Sequence, residues 1–346
     1  MQNAITTFWH VNFRGLLIAA VIAAAATFLS EHYGAPAMLF ALLIGMAFHF
    51  LHTDVTFSKG LDFSAKTLLR FGVGLLGLRL SISDVESVGY SSVGAVVGFV
   101  LATLACGAVL SRLFGRRLAF GLLAGGSVAI CGASAALAIS SVLPAREDRE
   151  KDALFVVIGV TALSTIAMVV YPILFKAMGM TDVESGFLIG ATIHDVAQVV
   201  GAGYSISDDA GVIATFVKML RVALLPVVMI VAMLILSGAQ SQKVTVPWFL
   251  VMFLILAVLA NSGMVPQAII DIANGVSRWC LVIAISALGV KTSLAAFLKV
   301  KPSYGIILVA ETVFLLLIAI GYVVFVGLYY VDCVLALACS ITINKL

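Results

Sequence analysis

Long apolar runs separated by short polar stretches fill the chain, and their lengths suit helices that cross a bilayer. They predict helices at about 15–30, 36–51, 66–81, 89–112, 118–143, 153–178, 185–204 and 210–237, then from Pro247 to about 260, 266–290 and 303–330. A spanning helix needs about 20 residues, so the runs at 36–51, 66–81 and after Pro247 are short. The pattern gives an all-α integral membrane protein with about 9–11 transmembrane segments.

Two runs depart from the plain apolar pattern. Residues 121–135 carry Gly121, Gly125, Gly126, Ser127, Cys131, Gly132 and Ser134, and residues 186–199 carry Gly186, Gly190, Thr192, His194, Asp195 and Gln198. Slid by about 65 positions they overlay, Gly121 on Gly186, Gly125 on Gly190 and Ser127 on Thr192. Polar, glycine-rich backbone is costly as plain spanning helix, and at membrane depth it marks a binding site. These stretches are therefore expected to be broken or re-entrant elements.

Composition removes the soluble alternatives. The 346 residues are 62% hydrophobic and 11% charged, with a mean hydropathy of +1.18, whereas a soluble domain carries about 25% charged residues. A net charge of +3 with scattered basic residues gives no nucleic-acid footprint. Cys106, Cys131, Cys280, Cys333 and Cys339 lie in apolar runs without metal-ligand spacing, so they read as small hydrophobes and no metal or cofactor is expected. Arg14 and the apolar run to Leu29 resemble a signal sequence, but the small residues 23–25 fall inside the run, so a retained first helix is expected. No polar linker divides the chain, which reads as a single polytopic membrane domain.

Loop charges test the topology. If every segment crosses, Arg146, Arg149 and Lys151 fall outside, against the cytoplasmic preference of basic loops. If the two glycine-rich elements each dip in and return, these residues join Arg14, Lys59, Arg116, Lys243, Lys291, Lys299 and Lys301 inside. The acids at 84, 86, 182, 184, 208 and 209 then lie outside. The N-terminus is cytoplasmic in this arrangement. The matched segment ends Leu76–Ser81 and Leu288–Ser293 then run in opposite directions, and so do the two glycine-rich elements. An inverted repeat follows, the first unit about 36–178 and the second about 185–330, as in secondary transporters.

The candidate site gathers at these elements. Unwinding exposes backbone N–H groups at the start of a half-helix, which with the helix dipole favour an anion. Gly126, Ser127, Cys131, Gly132, Ser134, Thr192 and Gln198 are the expected substrate-binding residues of the two stretches. Lys218 and Arg221, three apart on one helix face, lie about 12–17 Å into a helix starting near Ala210, and are expected to neutralise the substrate. His194 and Asp195 are the expected coupling pair, for H⁺ or Na⁺. Glu311 lies at similar depth and reads either as a second proton site or as the partner of an unidentified base.

The runs Gly125–Ala135, Ile193–Gly203, Lys218–Val222 and Ser286–Gly289 closely resemble the bacterial YeiH-type family, inner-membrane proteins catalogued as sulfate exporters. The likeness extends from about Gly34 to Tyr329; Asp195 stands where some members carry Glu, and the tail after Tyr330 is not covered. The resemblance implies a multi-pass transporter related in fold to the cation/proton antiporter and bile-acid symporter group. That group's unwound crossing helices are an alternative to hairpins. The expected function is secondary active transport of a small sulfate-like oxyanion or sulfonate, with H⁺ or Na⁺ and the lipid bilayer as partners and a homodimer allowed. A cation/proton exchanger, a channel and an intramembrane hydrolase using Ser127 or Ser134 with His194 are the alternatives; no nucleophile motif or Walker loop is present.

Overall fold

The computed structural model describes residues 2–33, 36–83, 86, 90–144, 149–236, 246–292 and 302–343, with side chains described at 11–325 of that set except 90–91 and 302–304. Among them there are helices and connecting turns and no strand. The loop residues Asp84, Arg146, Lys243, Lys299 and Lys301, and the side chains of Cys333 and Cys339, lie outside the described residues.

The chain runs through α1 (Gln2–Tyr33), α2 (Ala37–Ala47), α3 (Val55–Phe63), a π-helical turn (Ser64–Leu68) and α4 (Leu69–Leu75). Next come α5 (Tyr90–Leu113), α6 (Leu118–Ala129), α7 (Ala133–Val142) and α8 (Arg149–Ala177). α9 (Asp182–Thr192), α10 (Val196–Tyr204), α11 (Asp208–Ala223) and α12 (Leu225–Ile235) follow. α13 (Trp248–Asn261), α14 (Gln267–Lys291) and α15 (Pro302–Ile343) complete the order. The predicted 66–81 helix starts earlier than its apolar run, because Asp54 caps α3 through the Thr56 amide at 2.8 Å.

Among the described residues, six stretches are long and apolar enough to cross a membrane: Val11–Tyr33, Ser92–Leu113, Arg149–Ala177, Asp208–Ile235, Gln267–Lys291 and Gly305–Phe325. Their outer faces present large side chains such as Phe28, Leu101, Ile173, Leu234, Ile272 and Phe325, all exposed. Their inner faces hold glycine, alanine and hydroxyl residues together with Lys218, Arg221 and Glu311. Exposed large apolar groups around a buried polar interior suit lipid as the surrounding solvent.

Both predicted broken elements break. α6 stops at Ala129, the backbone turns through Gly132 at φ +60°, where a side chain would be strained, and α7 begins. α9 stops at Thr192 and α10 begins after Asp195, its N-cap. Each pair folds back on itself. Gly126 lies against the Ile139 side chain, and Arg117 shares a cavity wall with Leu143 and Pro144. In the second pair, Gly186 and Gly203 both pack on the Ala210 carbonyl of α11, with a Cβ at either position 2.8 or 3.1 Å from it. A continuous crossing helix would set these residues far apart, so both are hairpins.

Connectivity orients them. The first hairpin's arms open toward the start of α8 and the second's toward its end, and a 29-residue helix is about 43 Å long. The hairpins therefore point at each other, tip to tip. Each incoming arm docks through small residues: Gly121 and Gly125 on Thr103, Gly107 and Ser111 of α5, and Gly186 and Gly190 on Ala210 and Ala214 of α11. Such spacing lets helix backbones approach closely without a hydrophobic drive.

The helices form two bundles that share a main core, with a second small apolar cluster around Ala19, Ile22, Leu61 and Val290. α5, α8, α11, α12 and α15 surround the hairpins, while α1–α4, α13 and α14 pack beside them. The bundles meet where α10 lies against α14 and α2 and where α11 touches α13.

Candidate functional site

The hairpin tips create a backbone problem that α11 solves. An α-helix leaves its last carbonyls without intrahelical partners, and at these tips the backbone is buried inside the protein. At the end of α6, the Gly126 and Ser127 carbonyls accept from the Ile130 and Gly132 amides. The Val128, Ala129 and Ile130 carbonyls have no such donor within the turn. Arg221 donates to Val128 (2.7 Å) and Ala129 (2.7 Å), and Lys218 to Ile130 (2.5 Å). At the other tip Arg221 donates to Gly190 (2.9 Å) and Ile193 (3.0 Å), and Lys218 to Ile193 (2.8 Å) and His194 (2.5 Å).

Both cations are fully buried, and all three Lys218 protons have carbonyl acceptors. The sequence expectation gave these residues to the substrate. In this conformation they face the negative ends of two helix dipoles and strap the tips together. They are buried, and their acceptors are backbone carbonyls.

His194 completes the strap. Its Nδ1 lies 3.1 Å from the Val128 carbonyl of the first hairpin, which can only accept, so Nδ1 carries a proton. Nε2 lies 2.9 Å from the Thr312 hydroxyl of α15. Gly132 meets the His194 side chain, where a Cβ would be 3.5 Å away. Both ring nitrogens are therefore occupied by groups other than Asp195, Ser127 or Ser134. The expected His194–Asp195 pair and the hydrolase arrangement of serine with histidine are not assembled here.

Asp195 points elsewhere. It is half-buried, accepts from the Ala197 amide at 2.8 Å, and its own amide donates to Ser164 Oγ of α8 at 3.0 Å. Gln198 lies one turn on, buried, its Nε2 donating to Thr165 Oγ1 at 2.9 Å and its Oε1 without a partner. Among the described residues, Lys218 and Arg70 are cations that act electrostatically on Asp195. Arg70 is exposed on α4, just after the π-helical turn, with its guanidinium 5.9 Å from the Phe249 ring centre. Sequence reasoning passed over it. The signal was present, since Arg70 is the charged residue inside the apolar run Leu68–Leu78, and π-helical turns recur at functional sites.

The remaining candidates divide by burial. Ser127 and Thr192, matched in the sequence overlay, make the same bond, each hydroxyl returning to the carbonyl four residues back (2.5 and 2.6 Å). Gly126, Cys131 and Gly132 are buried in the tip and its flank, and Ser134 is exposed in the first turn of α7. Glu311 is wholly buried on α15, beside Thr312.

Fold and buried polar centre together define a multi-pass, all-α membrane protein. Residues 14–309 match a family model described as "Conserved hypothetical protein 698". The chain is 47% identical over 322 residues to a UPF0324 membrane protein of Chlorobaculum tepidum, covering 91% of this chain and 90% of that one. It is 49% identical over 311 residues to the UPF0324 membrane protein TauZ of Paracoccus pantotrophus, covering 88% and 92%. A UPF0324 membrane protein of Rhizobium meliloti is 45% identical over 323 residues. The chain belongs to this family of membrane proteins, in accord with the resemblance carried by its glycine-rich motifs. No solved structure matches the chain.

Proposed function

We propose that the chain is a secondary active transporter of a small anion of the sulfate or sulfonate class, coupled to H⁺ or Na⁺ and working in the bacterial inner membrane. The observation that carries this reading is the pair of opposed hairpins whose buried tips meet beside a half-buried carboxylate. Irregular backbone at membrane depth is tolerated where it lines a site, and transporters place substrate at such breaks.

Reading the two halves as an inverted repeat supports the same assignment. Gly77 packs on the Phe253 backbone of α13, and Gly289, its match in the overlay, packs on Leu42 and Gly45 of α2. Asn261, ending α13, donates to the Leu80 carbonyl at 2.8 Å; His49, just past α2, reaches the Val290 carbonyl at 2.8 Å. α2 and α13 both start on a proline N-cap of similar geometry. Each half thus caps the other, and the two bundles tilt against each other in transport.

With Lys218 and Arg221 committed to carbonyls, the anion's charge is met by Arg70 and by the N-terminal amides of α7 with Ser134. Asp195 and Gln198 serve the coupling ion, while Gly126, Ser127, Cys131, Gly132 and Thr192 shape the wall, and His194 holds the tips. Asp195→Asn is expected to abolish coupled sulfate flux in proteoliposomes while leaving the detergent melting temperature near wild type. Wild-type flux in that variant overturns the coupling role. A panel of oxyanions and sulfonates, with and without Na⁺, should raise the melting temperature selectively, since a ligand stabilises the form that binds it. Uniform null results across the panel overturn the anion assignment.

A further inference from the structure

Glu311 is the acid that the site above does not use. Both carboxyl oxygens are buried without a hydrogen-bond partner, and the residue has no exposed surface. Oε1 rests against Gly107 of α5, where a Cβ would come within 2.7 Å of it, so the glycine keeps the pocket open for the carboxyl. Cys106, half-buried on α5, is the titratable group facing it. The buried residues of α6, α8 and α9, the other helices packed on α15, include no charged side chain. The second hairpin adds His194, one residue along through Thr312. α11 adds Lys218 and Arg221, both held by tip carbonyls. An ionised carboxylate here would be an unpaired charge in an apolar pocket, and such a group takes a proton instead.

The position links the acid to the tips. The Thr312 hydroxyl has one proton and two acceptors in reach, His194 Nε2 at 2.9 Å and the Leu308 carbonyl at 2.7 Å. A shift of α15 at residues 311–312 therefore changes what holds His194, and His194 is bonded to the opposite hairpin.

We propose that Glu311 is a proton-carrying site, neutral in the conformation described and ionised in the alternate one, which makes the coupling ion a proton. On the change of conformation the carboxyl O–H breaks and the proton leaves to water, the electron pair remaining on the carboxylate. The assignment of a coupling ion rests on the transport reading; the protonation of Glu311 does not.

Two measurements separate them. Infrared spectra of purified protein at neutral pH should show a neutral carboxylic acid carbonyl band that moves on ¹³C-glutamate labelling and vanishes in Glu311→Gln. Labelled wild-type protein decides the matter even if that variant does not fold, because a missing or label-insensitive band overturns the proposal. In liposomes loaded with a pH-sensitive dye, an imposed sulfate gradient should move protons through wild type and not through Glu311→Gln. Proton movement equal to wild type in the variant overturns the coupling role. An absence of movement of every sulfate-class and sulfonate anion in wild type sinks the transport reading, and the infrared band still decides the state of Glu311.

Discussion

Lys218 and Arg221 show why a buried charge cannot be assigned a role from depth alone. Removing Lys218 leaves the Ile130 and His194 carbonyls without a donor, while Ile193 keeps Arg221. Each buried orphan costs about 1–3 kcal/mol. Lys218→Met is therefore expected to lower thermal stability in detergent far more than Arg79→Met. The latter removes an ion pair to Asp208 at 3.1 Å whose members are 30% and 69% exposed, worth at most about 1 kcal/mol. Equal losses in the two melts would remove the strap role. Counting rise per residue along the apolar run pointed to the interior, and both cations are buried. Their acceptors were not legible, since backbone carbonyls about ninety positions away along the chain carry no residue-type signature. Arg70 was hidden differently: an isolated arginine in an apolar run looks like a segment end until the fold sets its exposed side chain beside the Phe249 ring.

At the scale of elements, the periodicity of small residues was the most readable feature. Gly121 and Gly125, Gly186 and Gly190 were matched by sequence alone, and each pair is where an incoming hairpin arm docks. A Cβ on Gly190 would lie 2.5 Å from the Ala214 carbonyl and 2.8 Å from Val217, with rigid backbone on one side. Gly190→Val should displace the second hairpin and reduce monodisperse protein on size exclusion. Gly98→Ala is the contrast: nothing lies within 4 Å of that position on α5, and alanine gains about 0.5–1 kcal/mol of helix propensity over glycine. A folding yield for Gly190→Val matching that of Gly98→Ala would contradict the docking geometry. Hairpins rather than crossing helices were favoured by loop charges, although several of those charges fall outside the described residues. What decides the matter structurally is that both arms of one hairpin touch Ala210.

The whole molecule is two bundles joined by a limited seam, and Arg79–Asp208 ties its edge, with the Arg79 guanidinium 5.7 Å from the centre of the Tyr204 ring. If the bundles move during transport, a short cross-link between cysteines placed at 79 and 208 should stop sulfate flux reversibly, without lowering the melting temperature. Unimpeded flux through cross-linked protein would mean the seam is static. The strap across the tips also orders the making of the protein. The carbonyls at 128–130 are synthesised 88 to 93 positions before the side chains that satisfy them. Until the ribosome has delivered α11 to the membrane, the Ala129 and Ile130 carbonyls of the first hairpin have no donor, since His194 reaches only Val128. Nascent chains released before Lys218 should therefore be substrates for membrane quality control, whereas chains released after Ala223 carry the means to seat both hairpins.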